Sequence, residues 1–210
     1  MSARLHPVAF AAVLGAVCAL VLEGVAAVAG PLAQRNEEAY RARHLLSALG
    51  VPVAADAGTD EILEPFARAV RTVRWRGETI YVREEAGAPV AYAVEILGNG
   101  LWGPMRGVLA LDADGEHILA VSFFEQTETP GLGGEVASPE FSRRFAGKRV
   151  RGILDDSVGI RVTRPGTARG LREIDGITGA TITSKAVEAA LDGGRERILR
   201  WREGSLAGGS

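Results

Sequence analysis

The chain has 210 residues, a formal net charge of −2 and one cysteine, Cys18. This length favours one domain, or two at most. The small net charge gives no basic face for nucleic acid. A single cysteine excludes both an internal disulfide and a thiolate metal cluster.

An apolar run from Pro7 to Leu32 follows a short N-terminal tail, residues 1–6, and contains Glu23 as its one charged residue. About 20 mostly apolar residues are enough to cross a membrane. We predict a retained transmembrane anchor at residues 7–32. A cleaved signal peptide fits less well because the run is long and its positively charged start is thin, although residues 27–29 form a passable cleavage site.

Three further features bear on this anchor. A lipoprotein signal is excluded because Val17, directly before Cys18, is too large for that position. Glu23 would be costly in lipid, which favours packing of the helix against other membrane subunits. Arginines are more numerous after the run than before it and favour a cytoplasmic C-terminal part, but large domains translocate regardless of flanking charge, so orientation stays open.

Residues 33–72 are predicted to form a helical stalk and linker. The segment 34–50 has helical periodicity with an apolar face, and Gly50 and Pro52 end it. The segment 59–73 predicts a second helix with Thr59 as a plausible cap. The apolar faces of the two helices contain Ala42, Leu45, Leu46 and Leu49 in the first, and Ile62, Phe66 and Val70 in the second.

From Thr79 the apolar period changes to two, which predicts strands at 79–85, 90–97, 106–115 and 117–126. Turn signals at residues 87–89 and at Asp114-Gly115 indicate an antiparallel meander. A helix is predicted at 138–148, with Ser138 as its cap and Pro139 at its first position.

The last helix is predicted at about residues 184–201, followed by a flexible tail at 204–210. One apolar face of this helix contains Val187, Leu191, Gly194 and Ile198. The fold class is therefore α+β, an antiparallel sheet with flanking helices on a single N-terminal transmembrane helix.

No standard catalytic set or metal site is predicted. The three histidines are scattered, and "GNGLWG" at residues 98–103 matches G-x-G-x-x-G without the βαβ unit that a dinucleotide site needs. Three loops remain, at residues 98–105, 128–134 and 175–181. Their glycines allow close approach of the backbone to a ligand, and the combination fits a planar ligand held between loops.

The third loop, "DGITGAT", lies directly before the last helix. A helix N-terminus offers free N–H groups and a positive dipole end, which suit a phosphate. The Thr181 hydroxyl could therefore carry a phosphoester, with Gly179 and Ala180 leaving room for a modifying enzyme and Asp175 binding a metal or orienting the approach. Alternatively the hydroxyl residues are helix caps, and we expect Thr183 or Ser184 to be the cap.

"DGITGATITS" resembles the flavinylation signature of the covalent FMN-binding domain family. "GNGLWGPMRGVLALD" and "FFEQTETPGLGGE" resemble two further blocks of this family, so the resemblance covers roughly residues 75–200 and implies an FMN-binding domain at 73–203. The family includes the C subunit of the Na⁺-translocating NADH:quinone oxidoreductase and the G subunit of the Rnf ion-translocating complex. The sequence leaves these two types open.

The resemblance implies FMN linked through its phosphate to Thr181, a bond that a flavin transferase makes from FAD with a divalent metal. It also places cofactor-binding residues around the flavin ring and the phosphate. These are Trp102, Glu128, Thr129, Leu132 and Gly133 at the ring, and Asp175, Thr178, Gly179 and Ala180 near the attachment point.

The function implied is that of a membrane-anchored electron carrier without catalysis of its own. It would be a subunit of a redox-driven ion pump, with other membrane subunits as partners, and its flavin domain would lie outside the cytoplasmic membrane. Two alternatives remain open. One is a free-standing membrane-anchored flavin module for another reductase or an extracellular electron path, and the other is a binding module without flavin.

Overall fold

The computed structural model describes residues 5–150 and 159–207. They form two units, of which one ends at Arg41 and the other begins at Ala42. Residues 1–4 of the predicted N-terminal tail and residues 208–210 of the predicted C-terminal tail lie outside the described residues.

The first helix, α1, spans Leu5–Ala48 and contains both the predicted anchor and the predicted stalk helix without a break. Pro31 lies inside it. Proline removes one helical hydrogen bond, but alanine, glutamine and glutamate follow it at residues 33–39 and are good helix formers. One helix is thus long and apolar enough to cross a membrane, as the sequence predicts.

Small and large apolar side chains lie on opposite faces of the apolar part of α1. At 100° per residue, one face has Glu23 near its middle and otherwise carries only alanine and glycine from residue 9 to residue 30. Large side chains, all exposed, occupy the other face: Phe10, Leu14, Val17, Val21, Val25, Val28 and Leu32. Small residues permit close helix–helix approach in a membrane, whereas large ones suit contact with lipid.

The C-terminal end of α1 is part of the second unit. The predicted apolar face of this segment is confirmed, because Ala42, Leu45, Leu46 and Leu49 are all buried. The guanidinium of Arg83 donates a 2.7 Å hydrogen bond to the carbonyl of Leu49, and the ring of His44 stacks on that of Phe124. These contacts fix the end of α1 against the sheet.

The second helix, α2, spans Thr59–Ala69, and its cap is Gly58 rather than the predicted Thr59. The Glu61 side chain accepts a 2.8 Å hydrogen bond from the Gly58 amide. A side chain three residues into the helix therefore satisfies the cap amide, so no hydroxyl is needed at the cap itself.

Five antiparallel strands follow in chain order: β1 Val70–Trp75, β2 Glu78–Glu85, β3 Ala88–Asn99, β4 Pro104–Asp112 and β5 Ile118–Glu125. The predicted meander is confirmed. The strand β1 contradicts the prediction of a helix over residues 70–73 and of a domain start at residue 73. Arg76 and Gly77 both have positive φ, the conformation of a tight hairpin turn, and this turn folds β1 back onto β2.

The remaining elements are α3 Pro139–Arg143, β6 Arg161–Thr163, β7 Glu173–Asp175 and α4 Thr181–Ala207. The predicted cap of α3 is confirmed, because Ser138 Oγ accepts a 3.2 Å hydrogen bond from the Phe141 amide. The short parallel pair β6–β7 was not predicted, since three residues are too few for a period to be visible. The helix α4 begins three residues before its predicted start.

The helix α4 packs on the sheet through the predicted face. Val187, Leu191 and Ile198 are buried, as is Gly194. A Cβ atom at Gly194 would lie 2.5 Å from Ile96 Cγ2, whereas one at Gly193 would meet nothing within 4 Å. The two adjacent glycines therefore have different roles, and only Gly194 sets the distance between helix and sheet.

This difference predicts opposite effects of the two alanine substitutions. Gly193→Ala should stabilise the fold by about 1 kcal/mol through helix propensity. Gly194→Ala should destabilise it by about 1–3 kcal/mol, because the methyl group overpacks the interface with β3. Thermal unfolding of the full chain in mild detergent measures both, and effects of the same sign would contradict the packing described.

Candidate cofactor site

The three glycine-rich loops converge on one cleft of about 230 Å³ at the N-terminus of α4. Eight of the ten predicted site residues line it. The complete lining is Leu101, Trp102, Glu128, Thr129, Leu132, Gly133, Gly179, Ala180, Thr181, Ile182 and Thr183. Loops that are far apart in the sequence meet here because β4 returns directly after the first loop, β5 ends directly before the second, and α4 starts at the third.

Asp175 and Thr178 do not line this cleft but a neighbouring pocket. The Asp175 carboxylate accepts 2.9 Å hydrogen bonds from the amides of Thr167 and Ala168. These backbone donors, that of Ala168 above all, hold the pKa of Asp175 below its usual value. Asp175 therefore closes the loop between β6 and β7, and its carboxylate is engaged there.

Glu128 joins all three loops. It is 6% exposed, and one carboxylate oxygen accepts a 2.8 Å hydrogen bond from the Trp102 amide, while the other accepts the hydroxyl of Thr183. Burial by itself raises the pKa of Glu128, but the hydrogen bonds from Thr183 and from the amides of Trp102 and Leu101 outweigh it and leave the pKa below its usual value. The carboxylate is therefore ionised at neutral pH.

Glycines surround Glu128 because its side chain needs their space. A Cβ atom at Gly100 would lie 2.6 Å from Glu128 Oε1, and one at Gly133 would lie 2.7 Å from Thr183 Oγ1. The sequence suggested that these glycines leave room for a ligand. At these two positions that interpretation was wrong, because side chains of the protein itself fill the room.

The hydroxyl residues at the start of α4 have separate surroundings. Thr181 is exposed, whereas Thr183 and Ser184 are buried. Thr183 donates to Glu128, and Ser184 Oγ accepts a 3.1 Å hydrogen bond from the Ile177 amide. The prediction that Thr183 or Ser184 caps the helix was wrong, because the helix already begins at Thr181 and both hydroxyls bond to the loops packed against it.

Thr181 is thus the hydroxyl that remains accessible at the positive end of α4. Within the described chain, the first-turn amides of Thr181, Ile182 and Thr183 donate no hydrogen bond, as is usual for a helix start. Gly179 precedes them with φ +75°, a conformation that favours glycine. Free amides, a positive dipole end and an exposed hydroxyl suit a phosphate at this place.

Large apolar side chains beside Thr181 remain exposed. Trp102 is 68% exposed and Ile182 is 55% exposed, and Leu101 and Leu132 are exposed as well. Such a rim suits a planar aromatic group. The sequence analysis missed Leu101, Ile182 and Thr183, although the positions of Leu101 beside Trp102 and of Ile182 beside Thr181 were a usable signal. Apolar rim and phosphate end together fit FMN.

Comparison with known proteins agrees with this fit. Residues 100–194 match the model of the FMN-binding domain family. The chain therefore carries a domain of this family, and the resemblance predicted from its motifs is confirmed.

The chain is similar to C subunits of the Na⁺-translocating NADH-quinone reductase. It is 34% identical to that of Haemophilus ducreyi over 53% of this chain and 43% of the relative. It is 39% identical to that of Vibrio anguillarum over 47% of this chain and 39% of the relative. The match thus spans less than half the length of these curated relatives.

Two solved structures have a similar fold. The crystal structure of the corresponding reductase protein from Parabacteroides distasonis is 26% identical, with a TM-score of 0.66 over 78% of this chain and 91% of that chain. Shewanella oneidensis NqrC is 21% identical, with a TM-score of 0.63 over 75% of this chain and 90% of that chain. The second likeness shows the fold alone.

The buried contact between Glu128 and Thr183 predicts a difference between two threonines in one helical turn. Thr183→Val should cost about 1–3 kcal/mol of stability at pH 7, because the buried carboxylate loses a donor. Thr181→Val, the matched control at an exposed position, should change stability by less than about 0.5 kcal/mol. Thermal unfolding measures both.

The cost of Thr183→Val should also depend on pH. Because the folded-state pKa of Glu128 is lowered, its stabilising contribution is present above the ordinary glutamate pKa of about 4.3 and is lost as pH falls through the folded value. The stability difference between wild type and Thr183→Val should therefore shrink on acidification below pH ~4.3. A pH-independent difference would show that the contact does not involve the carboxylate anion.

Proposed function

We propose that this protein is a membrane-anchored electron carrier whose FMN is attached by a phosphoester to Thr181. The observation that carries the proposal is the accessible Thr181 hydroxyl at the N-terminus of α4, beside an exposed apolar rim. The bond forms when Thr181 Oγ1 displaces AMP from FAD and the hydroxyl proton leaves. A flavin transferase is the partner that this reaction requires.

The lining of the cleft favours electron transfer over catalysis on a substrate. Bound FMN supplies the redox chemistry. No histidine, cysteine or lysine is among the residues lining the cleft in the described chain, and both Glu128 oxygens are already hydrogen-bonded. The protein therefore holds and covers the cofactor and offers no free group for proton transfer or nucleophilic attack.

The names of the relatives support a role in a larger complex. They are C subunits of an NADH-quinone reductase that translocates Na⁺. We extend this role to the present chain as a subunit of a redox-driven ion-translocating complex of the quinone-reductase type. An Rnf-type complex and a free-standing flavin module are the alternative outcomes of the experiments below.

The helix α1 supports anchoring and docking in the membrane. Its small-residue face contains Glu23, which in lipid needs a hydrogen-bonding or cationic partner. Membrane subunits of the complex would supply that partner, and the flavin domain would lie outside the cytoplasmic membrane. Labelling of Ser205→Cys by a membrane-impermeant maleimide in intact cells, with Cys18→Ser as background, tests this orientation; labelling only after lysis would reverse it.

The attachment point predicts the behaviour of a single substitution. Thr181→Ala should abolish the flavin fluorescence of the denatured protein on a gel after co-expression with a flavin transferase, while thermal unfolding stays unchanged. In the wild type, the tryptic peptide from residue 173 to residue 185 should carry the added mass of FMN.

Thr178→Ala is the matched control, because Thr178 is also exposed and lies in the same loop. It should retain the fluorescent band. A fluorescent Thr181→Ala protein together with a dark Thr178→Ala protein would move the attachment to Thr178. A wild type that stays dark would refute the flavin function.

Purification of the native protein in mild detergent tests the complex. Integral membrane subunits of an ion-translocating oxidoreductase should co-purify with the wild type and with Glu23→Gln, which retains hydrogen-bonding capacity. They should be reduced at least about tenfold with Glu23→Leu, because a loss of about 1.4 kcal/mol of binding energy suffices for this change. A flavinylated wild type that purifies alone would favour the free-standing module.

A further inference from the structure

Glu128 has an unusual electrostatic position. It is the one ionisable side chain among the residues that line the cleft in the described chain. Its carboxylate is held by a hydroxyl and by backbone amides, and no described cationic side chain pairs with it. Buried charges are normally paired with an opposite charge, so this anion leaves an uncompensated negative charge at the wall of the cleft.

We propose that the fixed negative charge of Glu128 lowers the reduction potential of the flavin held in this cleft. The inference rests on the proposed function, because it requires FMN to be bound there. It assigns to Glu128 a role beyond holding the loops together, namely setting the energy at which the carrier accepts an electron.

The physical reason is the repulsion between like charges in a poorly screened place. Each electron that an external donor passes to the ring adds negative charge to the cleft unless a proton accompanies it. A group bound in a cleft of about 230 Å³ lies within roughly 10 Å of a carboxylate lining it, where a unit charge at an effective dielectric constant of about 20 shifts a one-electron equilibrium about tenfold. The low exposure of Glu128 keeps solvent screening small.

Charge and loop contact can be separated by one substitution. The glutamine amide has nearly the shape of the carboxylate: its oxygen can accept from the Trp102 amide, and its NH₂ group can donate to the Thr183 hydroxyl. Glu128→Gln therefore keeps both contacts and removes the charge. The positive dipole end of α4 opposes the charge of Glu128 but is the same in both proteins.

The experiment compares full-length wild type, Glu128→Gln and Glu135→Gln, each flavinylated by co-expression and purified in mild detergent. Glu135 is the control, because it lies on the same loop but is exposed and lines the neighbouring pocket. Potentiometric titration with mediator dyes, followed by flavin absorbance, gives the midpoint potentials. We expect Glu128→Gln to raise the potential by about tenfold in the equilibrium constant, or 59 mV for a one-electron couple, and Glu135→Gln to change it much less.

The outcomes separate this inference from the proposed function. A wild type without a fluorescent band on a denaturing gel refutes the attachment of flavin. If the proteins carry flavin and Glu128→Gln has an unchanged or lower potential, the inference is overturned while the flavin function stands. An equal rise in Glu135→Gln also overturns it, because the effect would then be one of overall charge.

The pH dependence of the potential gives a second test if Glu128→Gln does not fold. Protonation of Glu128 on acidification should raise the potential of the wild type beyond the slope of its neutral range. No other ionisable side chain lines the cleft in the described residues, whether on the loop after β3, the loop after β5 or the first turn of α4. In Thr183→Val, which loses a donor to the anion, this rise should begin at higher pH. Identical curves without an acid-side rise would overturn the inference.

Discussion

The buried carboxylate of Glu128 is the contact on which the geometry of the site depends. It ties the loop after β3, through the Trp102 amide, to the first turn of α4, through the Thr183 hydroxyl. Three segments remote in sequence thereby become one rigid cleft. Because an unsatisfied buried carboxylate would be strongly unfavourable, the neutral donors around it are as necessary as the carboxylate, and Gly100 and Gly133 keep its space open.

This contact also determines which hydroxyl of α4 can react. The side chain of Thr183 points into the protein toward Glu128, and Ser184 bonds to the loop before the helix. Thr181 lies two residues before Thr183, and its side chain remains in solvent at the positive end of the helix. Accessibility, free amides and dipole therefore meet at one side chain, and the exposed rim around Trp102 stands ready to cover a flat group.

The scaffold keeps this helix end in place. The helix α4 lies on the sheet through a face on which Gly194 permits close approach to Ile96. Arg197 adds a hydrogen bond to the carbonyl of Glu95 and an ion pair with Glu78. A long helix held along its length against a meander has little freedom at its first turn, which suits a cofactor attached by a single bond and exchanging electrons with partners.

The sequence by itself determined the apolar anchor, four of the five antiparallel strands, the apolar face of α4 and the three loops of the site, because each is a local pattern of period, turn residues or motif. Only the tertiary structure decided that residues 70–75 form β1, since a short segment takes its conformation from the strand beside it. It likewise separated Gly193 from Gly194, removed Asp175 from the cleft and revealed Glu128 as the link between loops. Each of these depends on which side chains meet across long stretches of chain, and no local pattern carries that information.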